Sequence, residues 1–198
     1  MKLAASLAAS AFLLAAAAPP MSFTPAEPAF MAAAEEYRQL WCDEGPRIVQ
    51  ALEEATGHSF PATPIEVFVA NATPMTTYDG RTMLLKASYP TYYKRATLVH
   101  ELGHRLAFTM TRPAELDDHR LLYLFLHDVW SRLYGTDFAD RMAQIESRIT
   151  GRYDYAGAWK WALALTPEQR RERIAKLRPA EPASPTPAPS NLSPEGCV

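Results

Sequence analysis

The first strong pattern in the chain is an apolar stripe with helical spacing between residues 29 and 56. Apolar side chains recur there every three or four positions, which places them on one face of a helix. They are Phe30, Ala33, Ala34, Tyr37, Leu40, Trp41, Ile48, Leu52 and Ala55. Gly45 and Pro46 interrupt the stripe, and because proline lacks a backbone donor we expect two helices here. Gly57 is a suitable C-terminal stop.

The pattern then changes to the alternation that is typical of β-strands. Residues 65–69 alternate and are rich in β-branched side chains. Residues 82–88 are a second candidate, because they follow a turn at Asp79 and Gly80. The sequence therefore predicts two or three short strands in this region.

Helical spacing returns after residue 90 and continues to about residue 178. Pro113 and Pro167 stand where a helix can begin, since proline is tolerated in the first turn. The predicted helices cover residues 91–109, 114–134, 137–149, 154–165 and 167–177. We expect an α+β fold in which a small, mainly antiparallel sheet lies over the helix at 91–109, with a helical C-terminal half.

The two ends of the chain differ from this folded part. Residues 1–18 carry one lysine and then a run of small apolar side chains, which is the layout of a secretory signal peptide. Residues 19–28 are interpreted as a proline-bearing linker, residues 29–178 as the folded domain, and residues 179–198 as a disordered proline-rich tail. The predicted location is periplasmic or secreted, without stable membrane insertion after cleavage.

Composition narrows the range of functions. With 48% apolar residues in 198, the chain can bury one core. Its 20 basic and 22 acidic residues give a net charge of −2, which argues against a nucleic-acid partner. An exported protein can oxidise Cys42 and Cys197 to a disulfide, although nothing in the sequence requires this pair.

His100, Glu101 and His104 form the most informative motif, His-Glu-x-x-His. In a helix, two histidines four residues apart lie on the same face and can bind one metal ion. Zn²⁺ suits two neutral imidazoles, and it lowers the pKa of a bound water to about 7. Glu101 lies beside that face, where it can act as the general base.

Residues 97–107 resemble the active-site helix of the zincin superfamily of zinc metallopeptidases. The resemblance implies one catalytic Zn²⁺, a peptide or protein substrate, and hydrolysis with Glu101 as general base. The strands upstream would align an extended peptide by backbone pairing. Arg105 departs from the family pattern, in which an uncharged residue follows the second histidine, and a place on the solvent side would accommodate it.

A catalytic zinc needs a third protein ligand that the motif does not supply. His119 is favoured because it follows His104 by fifteen residues, enough to end one helix and begin the next. Spartan-like zincins resemble this arrangement in using a third histidine after a similar interval. Asp128, Glu115 and Glu146 are the alternatives, and Asp128 can instead orient an imidazole.

The residue that stabilises the oxyanion is left open among four candidates, His127, Tyr123, Tyr153 and Tyr155. The function is interpreted as that of an exported zinc-dependent peptidase. Two alternatives stand beside it. One is a non-catalytic binding module on a degenerate zincin scaffold, and the other is a zinc amidase that acts on a non-peptide or cell-wall substrate.

Overall fold

A computed structural model describes residues 18–177 and Pro179. Within this part the fold is α+β, as predicted, with seven α-helices and one four-stranded sheet. The elements are β1 (Met21–Pro25), α1 (Met31–Thr56), β2 (Ile65–Ala70), β3 (Met75–Thr76), β4 (Thr82–Lys86), α2 (Thr91–Ala107), α3 (Asp118–Tyr123), α4 (Leu126–Tyr134), α5 (Thr136–Glu146), α6 (Tyr155–Leu163) and α7 (Pro167–Ala175). Apart from Ala18 and Pro179, the predicted signal peptide and tail lie outside the described residues, and so does Cys197.

The sheet is mixed, and the expectation of a mainly antiparallel sheet is wrong. Its strand order is β1-β2-β4-β3, with β1 and β4 both parallel to β2 and only β3 antiparallel to its neighbour. The parallel pairs arise from two crossovers. Helix α1 returns the chain from β1 to β2, and the segment containing β3 returns it from β2 to β4.

Strand β1 lies in the segment that was interpreted as a linker, so that interpretation is also wrong. Met21, Phe23 and Pro25 are partly buried, and Ser22 and Thr24 between them are exposed. The strand was not predicted because the surrounding prolines are more typical of a linker than of a strand. Proline is tolerated in β1 because it is an edge strand of the sheet.

Helix α1 is continuous through Pro46, and the expected break is absent. An internal proline costs about 3 kcal/mol in a helix. Burial on both sides of it outweighs this cost, since Leu40 and Trp41 lie in the same core as Ile48. The helix ends as predicted at Gly57, which has a φ of 71°.

The core lies on one face of the sheet. The inward side chains of β2 and β4 are almost fully buried, whereas Phe68 on the outer face is 40% exposed. The single helix expected at 114–134 is instead α3 and α4, because the buried Phe125 leaves the helical conformation with a φ of −133°. None of the described helices is long and apolar enough for a membrane crossing.

Candidate metal centre

Helix α2 carries the His-Glu-x-x-His motif into the protein interior. Every residue of the helix from Ala96 to Ala107 is buried. His100 and His104 lie one turn apart on the same face, as predicted, and their Nε2 atoms are 3.1 Å from each other. The two imidazoles therefore point at a common position between them.

Helix α3 brings His119 to that position. Asp117 caps the helix by accepting a hydrogen bond of 2.7 Å from the backbone N–H of Arg120, which fixes His119 in the first turn. Gly103 lets α3 approach α2 closely, because a Cβ atom there would lie 2.5 Å from Leu122. The His119 ring centroid is consequently 5.7 Å from that of His100 and 5.0 Å from that of His104.

Together these three histidines form a buried cluster whose potential ligand atoms all lie within 4.8 Å of one another. Burial and the neighbouring imidazoles hold the pKa of His104 well below its usual range. Burial, together with His100, lowers the pKa of His119 to about 4. Both rings are therefore neutral at neutral pH, which is the form that binds a metal.

The carboxylate of Glu146 on α5 orients His100. Its Oε1 lies 2.8 Å from His100 Nδ1, and its Oε2 accepts hydrogen bonds from Tyr123 Oη and Trp159 Nε1. Although burial disfavours the charged ring, this carboxylate raises the pKa of His100. A carboxylate can only accept here, so Nδ1 carries the proton and Nε2 is left free to bind a metal. Glu146 was predicted as a rival ligand, but the structure places it behind His100.

Glu101 lies beside the cluster and contacts the edge of the sheet. Thr76 on β3 donates a hydrogen bond of 2.8 Å to its Oε2. Burial raises the pKa of the Glu101 carboxyl, and the Thr76 hydroxyl opposes this shift. Burial thus makes Glu101 a stronger base than an exposed glutamate, which suits a group that must accept a proton.

Arg105 is not on the solvent side as expected, but 2% exposed. Its guanidinium donates hydrogen bonds to the carbonyls of Gly80 and Thr63, and it lies over the ring of Phe60. Burial lowers its pKa to about 10. The backbone carbonyls provide the polar contacts that solvent was expected to provide. Through Gly80 they attach α2 to the turn between β3 and β4, and through Thr63 to the loop before β2.

The histidine cluster lies at the base of an open cleft of about 540 Å³. Tyr153 and Tyr155 have ring centroids 4.7 and 4.5 Å from that of His119. Asp154 between them accepts a hydrogen bond of 2.9 Å from the Gly157 N–H and so caps α6. The cap directs both predicted tyrosines toward the cleft, where burial raises the pKa of Tyr155 and keeps it protonated.

Several other predicted candidates do not line this cleft. Asp128 forms a two-pronged ion pair with Arg170. His127 lies 2.8 Å from Asp140, and Glu115 is an exposed residue before α3. Tyr123 donates to Glu146 and is not free to stabilise an oxyanion. Of the rivals to His119, only Glu146 is near the histidines.

Sequence reasoning missed Thr76, and it kept Glu146 only as a rival ligand without seeing its role beside His100. Thr76 gave no signal, because its two-residue strand is too short to show a period. Glu146 did carry one. It shares the buried face of α5 with Ala139, Met142 and Ala143, and a glutamate in such an apolar stripe must have polar partners.

The donor set fits a zinc ion. Catalytic zinc takes three protein ligands and keeps a further position open, and histidine is among its preferred ligands. The buried Nδ1 atoms of His104 and His119 have no hydrogen-bond partner in the described part of the chain. Three imidazoles that face one another, with the Nε2 atoms of His100 and His104 only 3.1 Å apart, are an arrangement that a bound cation would stabilise.

Comparisons of the chain with protein-family models, with curated protein sequences and with solved structures found no match.

Proposed function

We propose that the protein is an exported zinc-dependent peptidase of zincin type. The observation that carries the proposal is the convergence of His100, His104 and His119 within 4.8 Å, with Glu101 beside them in the same cleft. The residues come from two helices separated by a loop, and such convergence is not required for packing. The motif at residues 97–107 and its resemblance to zincins support the same conclusion.

His100, His104 and His119 would hold the ion. When bound, zinc would supply a Lewis acid that polarises the substrate carbonyl and acidifies an adjacent water. Glu101 accepts the proton of the attacking water on its carboxylate and later donates it to the leaving amine. Glu146 keeps the His100 ring in one orientation during this transfer, because it is itself fixed by Tyr123 and Trp159.

Strand β3 supports a polypeptide as the substrate. Within the described residues it has β4 as its one neighbour, so its other edge is available for pairing with an extended chain. Met75 and Thr76 of this strand both line the cleft. A peptide bound along this edge would pass in front of Glu101. Tyr153 and Tyr155 offer phenol donors for the oxyanion from the helical side of the cleft.

The test is zinc content together with peptidase activity, measured on the wild type and on two histidine variants. His119→Ala removes one proposed ligand. His127→Ala is the matched control, because His127 lies outside the cleft and pairs with Asp140. We expect one zinc per wild-type chain, cleavage of a mixed peptide library, and loss of both in His119→Ala only.

Peptidoglycan fragments are included as a second substrate panel. Cleavage of these fragments but not of peptides would replace the peptidase with the amidase alternative. Zinc binding without hydrolysis of either panel would favour a binding module. A folded wild type that takes up no added zinc would reject the metal centre itself.

A further inference from the structure

A second, smaller pocket adjoins the cleft. It has a volume of about 280 Å³ and lies where the C-terminal end of α2 meets α3. Four apolar residues form most of its wall, and three of them are almost fully buried. They are Ala107, Phe108, Met110 and Leu121. The remaining lining residues, Tyr78, Arg112 and Asp118, are polar.

The charges of this pocket compensate each other. Arg112 forms an ion pair with Asp118 Oδ1, and the Tyr78 hydroxyl donates a hydrogen bond of 3.0 Å to Asp118 Oδ2. Both oxygens of the carboxylate thus have a partner, and the guanidinium has its counter-ion. No uncompensated charge among the lining residues would attract an ionic ligand, so the pocket suits an apolar group.

The pocket is continuous with the candidate metal centre. Tyr78, Phe108 and Asp118 line both cavities. The ring of Phe108 stacks on that of His104, with centroids 5.7 Å apart. Asp118 directly precedes His119 in α3. A group in the second pocket would therefore lie against residues that contact or directly precede the proposed ligands His104 and His119.

We propose that this second pocket binds an apolar side chain of the substrate, one residue close to the cleaved bond, and so sets the cleavage preference. The proposal rests on the peptidase function proposed above. Large aliphatic or aromatic side chains fill a cavity of this size, whereas charged side chains would lose their hydration without gaining a partner. The protein should therefore prefer substrates such as leucine- or phenylalanine-containing peptides.

The first experiment changes the size of the pocket in opposite directions. Ala107→Leu fills it, and Met110→Ala enlarges it. Peptides that differ only in one residue near the cleaved bond are compared by the ratio of kcat/KM for phenylalanine to that for alanine. We expect Ala107→Leu to lower this ratio about tenfold or more. Met110→Ala should keep or raise the preference for the larger side chain.

Met142→Ala is the matched control for lost core volume. Met142 is fully buried on α5 and lines neither cavity. Its loss should lower stability and leave the phenylalanine-to-alanine ratio unchanged. An unchanged ratio in a folded Ala107→Leu protein would overturn the proposal. A general rise in the rate on all peptides in Ala107→Leu would also overturn it, since it would mean that a segment of the chain itself occupies the pocket.

The second experiment does not depend on activity. Toluene, which mimics a phenylalanine side chain, is titrated into the wild type and Ala107→Leu, and the methyl resonance of Met110 is followed by NMR. We expect a saturable shift in the wild type that is lost in Ala107→Leu. No shift in the wild type would overturn the pocket. A shift in a protein that cleaves no peptide would support the apolar pocket and reject the peptidase function, so the two failures are distinguishable.

Discussion

The polar clusters around Arg170 and around His104 are both buried, but they differ in how their polar atoms are satisfied. Arg170, 4% exposed, uses Nε and Nη2 to contact the two oxygens of Asp128, at 3.1 and 2.5 Å. Its Nη1 donates to the carbonyls of Ala162 and Leu165. Each nitrogen of this guanidinium therefore has an acceptor, and its positive charge is paired with the negative charge of the Asp128 carboxylate.

In the histidine cluster, by contrast, ring nitrogens of the same kind face each other. The facing Nε2 atoms of His100 and His104 are of the same kind, and the buried Nδ1 atoms of His104 and His119 have no partner within the part of the chain described. An unpaired polar atom in the interior costs about 1–3 kcal/mol. The Arg170 cluster is complete in protein atoms, and the histidine cluster is not.

Under the proposed function, this difference separates a structural ion pair from a metal-binding cluster. A complete cluster stabilises the fold and needs nothing further. An incomplete one persists because the rest of the core holds it in place, and it gains free energy when a ligand arrives. Substitutions in the first cluster should therefore change stability alone, whereas those in the second should change zinc binding and activity.

The largest effect is expected from Glu101→Gln. The amide keeps the shape of the side chain but cannot accept the proton of water, and loss of a general base costs about 10²–10⁴-fold in rate. Zinc content should stay at the wild-type level, because Glu101 is not one of the three proposed ligands. Steady-state kinetics and metal analysis on the same preparation measure both quantities.

Glu44→Gln is the control for this change. Glu44 is also buried and accepts hydrogen bonds from Arg95 and Tyr134, and none of these three residues lines the cleft. Its substitution should leave the rate constants within a factor of two or so of wild type. Undiminished activity in Glu101→Gln would remove Glu101 from the mechanism and break the distinction between the two clusters.

Asp128→Ala should be the most damaging change in the complete cluster. It leaves the Arg170 charge buried without its partner, which costs about 3 kcal/mol of the free energy of unfolding. Adding Arg170→Met should restore part of this loss, because the unpaired charge is then removed as well. Urea unfolding measures the two values. Zinc content should be equal in all three proteins, and a zinc loss in Asp128→Ala would return Asp128 to the ligand candidates.

Glu146→Gln tests the group behind His100. The amide oxygen can still accept from Tyr123 and Trp159, but the NH2 group then faces His100 Nδ1, and it donates instead of accepting. Loss of such a partner typically lowers metal affinity 10- to 100-fold. Competition with a zinc-binding dye measures the change. If the zinc affinity of Glu146→Gln equals that of the wild type, the carboxylate contributes to packing of the core and not to metal binding.

The sequence alone predicted the parts of this site that lie within one helix. His100 and His104 share a face because of helix geometry, and that geometry depends on local spacing. His119 was chosen by loop length, and it meets the other two because Gly103 lets α3 approach and Asp117 starts the helix there. The α+β class followed from periodicity in the same way.

The failures of sequence reasoning all concern contacts between distant segments. Asp128 remained an alternative to the favoured His119, because no local pattern tells that Arg170 is the partner of Asp128. The parallel pairing of β1 with β2 and the burial of Arg105 against Gly80 and Thr63 depend on crossovers that periodicity does not encode. Tertiary packing likewise overrode the helix break expected at Pro46.

The smallest effect is expected from Thr76→Val, which removes only a hydrogen bond to the Glu101 carboxylate. Valine has the shape of threonine but lacks the hydroxyl that donates 2.8 Å to Glu101 Oε2. A hydrogen bond to a charged group contributes about 1.5–3 kcal/mol, so a roughly tenfold lower kcat with full zinc content is expected. Thr76→Ser should recover most of the rate, because it keeps the donor. Thr56→Val is the control, since that buried hydroxyl bonds only to backbone groups near the end of α1: it donates to the Leu52 carbonyl at 2.8 Å and accepts from the His58 N–H at 3.2 Å. Equal rates for Thr76→Val and the wild type would show that the edge strand does not position the base, and that the helix alone presents Glu101 to the substrate.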